Sequence, residues 1–125
     1  MGRLADAASL GLEPLIARGF RIAVVADSPR REAIEAVRDL VAVRVDADWL
    51  EGELAVTVQA AGQKAVPLDR VVDLATVDGL HLRRISRSAS RGMIESTLSK
   101  IASALVDQAS DVLDETPAGL ERLHP

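Results

Sequence analysis

Several residue types are missing or scarce in this chain of 125 residues, and each absence excludes a class of protein. The chain has no cysteine, which excludes a disulfide framework, a thiolate zinc site and a cysteine nucleophile. Phe20 and Trp49 are its only aromatic residues, so single-stranded nucleic acid is not expected to bind through stacked bases. No apolar run approaches the ~20 residues that cross a bilayer, and the N-terminus lacks the apolar segment of a signal peptide. We therefore expect a cytoplasmic protein without direct membrane insertion.

The motifs of common enzymes are also missing. Neither G-x-G-x-x-G nor G-x-S-x-G occurs, and Lys64 is not followed by the Ser or Thr of a phosphate-binding loop. The two histidines do not form a metal-binding motif, since His81 is predicted on the exposed side of a strand and His124 lies near the C-terminus. We predict no catalytic residue, no metal site and no cofactor, and therefore not an enzyme.

The length fits one domain, because two separate cores of about 60 residues each would be marginal without cross-links. We predict a single domain over residues 1–116. Pro117 should end the last helix, so residues 117–125 are predicted to form a loose C-terminal tail.

The hydrophobic pattern of the first half predicts short helical turns followed by strands and a helix. Residues 20–26 (FRIAVVA) form a nearly continuous apolar run, which is typical of a strand buried on both faces. Ser28 and Pro29 suit the start of a helix, and apolar residues at helical spacing extend it to residue 41. Alternating polarity in residues 41–46 and 53–59 predicts an antiparallel hairpin.

The second half adds a helix, a strand and a long helix. Pro67 opens a predicted helix that Gly79 ends, residues 80–85 form a predicted strand, and residues 90–116 form the long helix. The resulting order is the βαββαβ order of a ferredoxin-like split sheet. We therefore predict an α+β fold of this type, with short N-terminal helical turns and a long C-terminal helix.

Charge is unevenly distributed in this chain of net charge −4. A cluster of arginines extends from the end of the last predicted strand to the start of the long helix, at Arg83, Arg84, Arg87 and Arg91. Arginine suits bidentate contact with carboxylate or phosphate, so this cluster is a candidate contact for an anion or an acidic partner. The alternative is a solvated loop that the acidic residues of 107–121 neutralise.

The long helix predicts a homodimer. The stretch from Ser90 to Glu115 has about 26 residues and would extend roughly 39 Å, whereas strands of five to seven residues extend only about 17–23 Å. The far half would then be exposed, with a predicted dimer interface at Ile101, Leu105, Ala109, Val112 and Leu113. Gln108 interrupts this stripe, and the alternative is a helix that bends back there onto its own domain. Trp49, in the hairpin turn, is predicted to be partly exposed, and its burial would favour an oligomer.

Residues 66–98 contain a helix, a glycine, a strand and a serine-led helix in that order. The positions that carry this pattern are Leu74, Gly79, Leu80, Leu82, Ser90, Ile94, Glu95 and Leu98. The stretch resembles the C-terminal accessory domain of ATP-binding subunits of drug-export and antibiotic-resistance type ABC transporters, and the similarity covers residues 2–101. Two departures are Arg91-Gly92, where the family has acidic residues, and the longer terminal helix. The resemblance implies a non-catalytic regulatory or subunit-contact role beside an ATPase.

These observations predict a non-catalytic accessory, regulatory or dimerisation domain. Its expected partner is a second copy or another protein such as a transporter subunit, and the net charge of −4 argues against nucleic acid. The alternative is a stand-alone dimeric ferredoxin-like sensor of an anion or metabolite. A small enzyme on such a scaffold is disfavoured because the predicted core offers almost no polar or aromatic groups.

Overall fold

An antiparallel sheet of five strands forms one layer of the computed structural model, which describes residues 2–77 and 84–124. The strands lie in chain order, and each pairs with its sequence neighbour. They are β1 (Arg21–Asp27), β2 (Arg31–Val37), β3 (Val41–Asp48), β4 (Glu53–Ala60) and β5 (Val66–Pro67). The hairpin predicted around residues 48–52 is confirmed as β3 and β4.

The helix predicted over residues 29–41 is wrong, since these residues form β2 and its flanking turns. The Ser28 backbone N–H donates to the Arg31 carbonyl at 2.9 Å, so Ser28 and Pro29 close a hairpin turn instead of starting a helix. A second tight turn follows, where the Arg38 N–H donates to the Val41 carbonyl. The two hairpins place β2 between β1 and β3. Hydrogen bonding to both strands therefore prevails over the helical spacing of the apolar residues in this segment.

The fold is α+β as predicted, but the order of its described strands is not ferredoxin-like. A split βαββαβ sheet needs two crossover helices. β2 lies where the first crossover helix was predicted. Residues 66–76, in place of the second, form β5 and the 3₁₀ turns Leu68–Arg70 and Leu74–Thr76. Gly79 and most of the predicted strand at 80–85, with His81, lie outside the described residues.

Helices form the second layer, on the face of the sheet that holds the core. They are α1 (Arg3–Gly11), α2 (Glu13–Ile16), α3 (Arg91–Gln108), α4 (Ser110–Leu113) and α5 (Pro117–Arg122). The N-terminal turns are thus confirmed. Ser90 begins α3 as predicted, because its Oγ accepts the Met93 N–H at 3.2 Å. Alternate residues of β3 and β4, such as Val45 and Val58, point into the layer between sheet and helices.

The long helix is shorter than predicted and folds back on its own domain. α3 ends at Gln108, and the chain turns at Ala109 before α4. The expected exposure of the far half is therefore wrong. The residues of the predicted dimer interface are all fully buried within the single chain: Ile101, Leu105, Ala109, Val112 and Leu113.

The segment after Pro117 is a docked helix and not a loose tail. Thr116 Oγ1 accepts the Gly119 N–H at 3.0 Å and begins α5. Leu123 has no exposed surface and belongs to the hydrophobic core. No helix in the described part of the chain is long and apolar enough to cross a membrane.

Candidate functional site

The predicted arginine cluster is only partly assembled. Arg83 lies outside the described residues. The Arg91 Nε–H donates to Glu95 Oε1 at 2.9 Å, so this guanidinium forms an ion pair with a residue one turn further along α3. The side chain of Arg87 is exposed, while its carbonyl accepts from Arg3. Arg84 lines an open depression of about 510 Å³ beside α3, together with Met93.

The acidic stretch near the C-terminus contacts arginines outside this cluster. Asp114 Oδ1 lies 2.9 Å from the Arg18 guanidinium, and Asp111 Oδ1 lies 2.5 Å from that of Arg122. Arg38 reaches Asp114 and also donates to the Leu113 carbonyl at 2.7 Å. These contacts fasten α4 and α5 to the rest of the fold, so the acidic stretch has a structural role.

A buried polar network surrounds Trp49, which is only 5% exposed, so the predicted partial exposure is wrong. The Trp49 Nε1–H donates to Glu32 Oε2 at 2.5 Å. The Arg3 guanidinium stacks on the indole, 3.9 Å from the ring centroid. Burial of this tryptophan thus comes from its own chain and does not require an oligomer.

The same network joins four separate parts of the fold. Glu32 Oε1 accepts the Leu4 N–H at 3.1 Å, which satisfies a free donor in the first turn of α1. Arg3 donates to the carbonyls of Arg87 and Ala89 at 2.8 and 2.6 Å, just before α3. Sequence reasoning missed this network because residues 29–41 were predicted to be a helix. Only in a strand does Glu32 point into the core, on the same face as Ile34.

The outer face of the sheet carries paired charges above a depression of about 660 Å³. Arg44 makes two hydrogen bonds to Asp46, at 2.9 and 3.0 Å, and lies 3.7 Å from Glu35. The Glu51 backbone N–H, and then Arg30 and Arg31, hold the pKa of the Asp48 carboxyl below its ordinary value. These charges thus pair with one another on the outer face of the sheet.

The candidate metal ligands are the acidic and histidine side chains of the described residues. Within residues 2–77 and 84–124, no group of three histidine, aspartate or glutamate side chains could hold an ion.

The outer edge of β1 is the candidate interaction site. β1 pairs with β2 alone, so its other edge has no strand beside it in the described part of the chain. Val24 and Val25 are 55% and 43% exposed. The predicted burial of this strand on both faces is therefore wrong for the single chain, although its apolar composition is that of a buried strand.

The edge runs over seven residues, which is about 23 Å of extended chain at 3.3 Å per residue. A register shift between Val24 and Ala26 marks a bulge that increases the local twist. Such an edge offers backbone N–H and C=O groups in a row, together with apolar side chains, to an added strand.

Comparison with protein-family models, curated proteins and solved structures gave no match.

Proposed function

We propose that this chain is a non-catalytic protein-interaction domain that binds an extended segment of a partner along β1. The observation that carries the proposal is the exposure of Val24 and Val25 on an edge whose outer side pairs with none of the described strands. Proteins commonly protect sheet edges with charges, prolines or covering elements. The centre of β1 has the bulge but no charge and no proline between Arg21 and Asp27.

Strand addition uses two features that β1 combines. The backbone of an added strand supplies hydrogen bonds, and alternate side chains supply specificity. Ile22 already packs against the core, while Val24 and Val25 remain in water. A bound strand would cover the flank of β1 at both valines, and the burial of that apolar surface is favourable by the hydrophobic effect.

The anion-sensor alternative draws less support from the described residues. The guanidinium groups of Arg91 and Arg44 are held by carboxylates of their own chain. The transporter resemblance also does not enter the proposal, since residues 67–75 lack the helix on which part of the pattern depends. The interaction role therefore stands on β1 itself.

A labelled peptide of the sequence of residues 20–28 tests the proposal. Fluorescence anisotropy should rise on titration with the chain to about 100 μM, a range suited to a weak interaction. The same peptide with alternate backbone nitrogens methylated should not bind, because it cannot complete the hydrogen-bond ladder.

Matched protein variants locate the binding surface. Val24→Lys should weaken peptide binding, since a lysine on an edge strand opposes pairing. Leu50→Lys is the control, because Leu50 is 53% exposed but lies in the turn between β3 and β4. Equal binding by the methylated peptide, or equal weakening by both variants, would contradict the proposal.

A further inference from the structure

We infer that the segment docked on β1 is β1 of a second copy in antiparallel orientation, so that two copies form a dimer with one continuous sheet. The inference rests on the proposed function and adds the identity of the partner. It follows from the charges at the two ends of the strand and from the unequal edges of the sheet.

The charges at the ends of β1 are self-complementary. The strand begins with Arg21 and ends with Asp27, and the five residues between them are apolar. Antiparallel self-pairing places the Arg21 end of each copy beside the Asp27 end of the other, twice in one dimer. Parallel pairing would instead bring like charges together, which is unfavourable. Both side chains are exposed and therefore accessible to a second copy.

The strand supplies an apolar match between these charged ends. Antiparallel pairing about its middle brings the valines of one copy against the apolar centre of the other. Val24 and Val25 would then lie in the interior of a continuous sheet, each beside apolar residues of a strand on either side. The pairing thereby covers part of the apolar surface that β1 exposes in the single chain.

The two edges of the sheet differ, and this favours a closed dimer over a fibre. β5, at the opposite edge, has only two residues and offers little backbone for pairing. Pairing of β1 with itself is isologous, so it uses the same surface of both copies and stops at two.

Sedimentation velocity over a range of concentrations tests the inference. The wild-type chain should convert from monomer to dimer with increasing concentration. Val24→Lys should raise the dimer dissociation constant by roughly tenfold or more. Leu50→Lys should leave it unchanged, because that side chain is as exposed but lies outside β1.

Charge exchange tests the orientation of the strands. Arg21→Asp and Asp27→Arg should each weaken the dimer, since each places like charges beside one another across the two-fold axis. The double exchange R21D/D27R restores opposite charges and should restore the dimer. Circular dichroism checks that each variant folds, and the exchange series decides the question if Val24→Lys does not fold.

The outcomes separate this inference from the proposed function. A chain that stays monomeric at all concentrations but binds the β1 peptide would overturn the second copy as partner and leave the interaction role standing. A dimer that is insensitive to Val24→Lys and to both single exchanges would also overturn it, because the contact would then lie elsewhere. If the unmethylated peptide of residues 20–28 does not bind to the wild-type chain, the proposed function itself is overturned.

Discussion

At the scale of single residues, the buried side chain of Glu32 holds distant parts of the chain together. Among the described residues, Glu32 is the one charged or polar residue that is buried, with 6% of its surface exposed. Burial of an ionised group is unfavourable unless hydrogen bonds compensate it. Both carboxylate oxygens accept one, from the Trp49 indole and from the Leu4 backbone. The carboxylate thus links the β3–β4 turn to the start of α1.

Glu32→Gln should lower the free energy of unfolding by about 1–3 kcal/mol, the range for a hydrogen bond to a charged group or an unsatisfied buried donor. The amide can accept only through one end, so its NH₂ group would face either Trp49 or Leu4 as a second donor. Urea unfolding measures the loss, and Trp49 emission should shift to longer wavelength.

Glu35→Gln is the matched control, on the same strand but on the outer face. Its carboxylate lies 3.7 Å from Arg44 and is partly exposed, so we expect a change within about 0.5 kcal/mol. Equal losses for the two variants would refute a special role for Glu32. Sequence reasoning could not have paired Glu32 with Trp49, because the 16 residues between them contain the rest of β2, a turn and all of β3.

At the scale of elements, strands with clean alternation were predictable and β2 was not. β3 and β4 alternate in burial along their full lengths, and this is the pattern the sequence displayed. β2 contains the helix formers Ala33, Glu35 and Ala36, so its local preference favours a helix. Pairing with both β1 and β3 prevails over that preference, and no local signal reveals such a pairing.

The crossing of α1 and α3 gives a prediction at the same scale. A methyl group at Gly11 would lie 2.6 Å from Leu98 Cβ, so Gly11→Ala should force the helices apart. Overpacking of this kind costs about 1–3 kcal/mol. In α3, a methyl group at Gly92 meets nothing closer than 4.0 Å. Gly92→Ala should therefore stabilise by up to about 1 kcal/mol, since alanine favours the helix.

Thermal and urea unfolding of the two alanine variants measure this difference. Opposite signs are expected for the same chemical change in two helices. Destabilisation by both variants would mean that the space beside Gly92 is needed by another contact. A neutral Gly11→Ala would mean that α1 shifts along α3 without loss.

At the scale of the whole molecule, the core draws on residues from both ends of the described chain. Leu4 in α1 and Leu123 beyond α5 both have no exposed surface, and both belong to one hydrophobic cluster. Arg122 helps to hold the C-terminal segment against the core, since its guanidinium donates to the Val71 carbonyl at 2.9 Å. Pro117 was predicted to end the long helix, but it begins α5 instead, and no local signal in the sequence reveals the return of the chain to the core.

Leu123→Ala distinguishes a docked C-terminal segment from a loose tail. Truncation of a fully buried leucine costs about 2–5 kcal/mol, whereas a residue in a loose tail would cost almost nothing. Leu10→Ala is the control, because Leu10 is equally large but 59% exposed, and its effect should stay within about 0.5 kcal/mol. Urea unfolding of both variants gives the comparison. If Leu123→Ala were as stable as Leu10→Ala, α5 would not belong to the cooperative core, and the closure of the fold by its C-terminal segment would have to be abandoned.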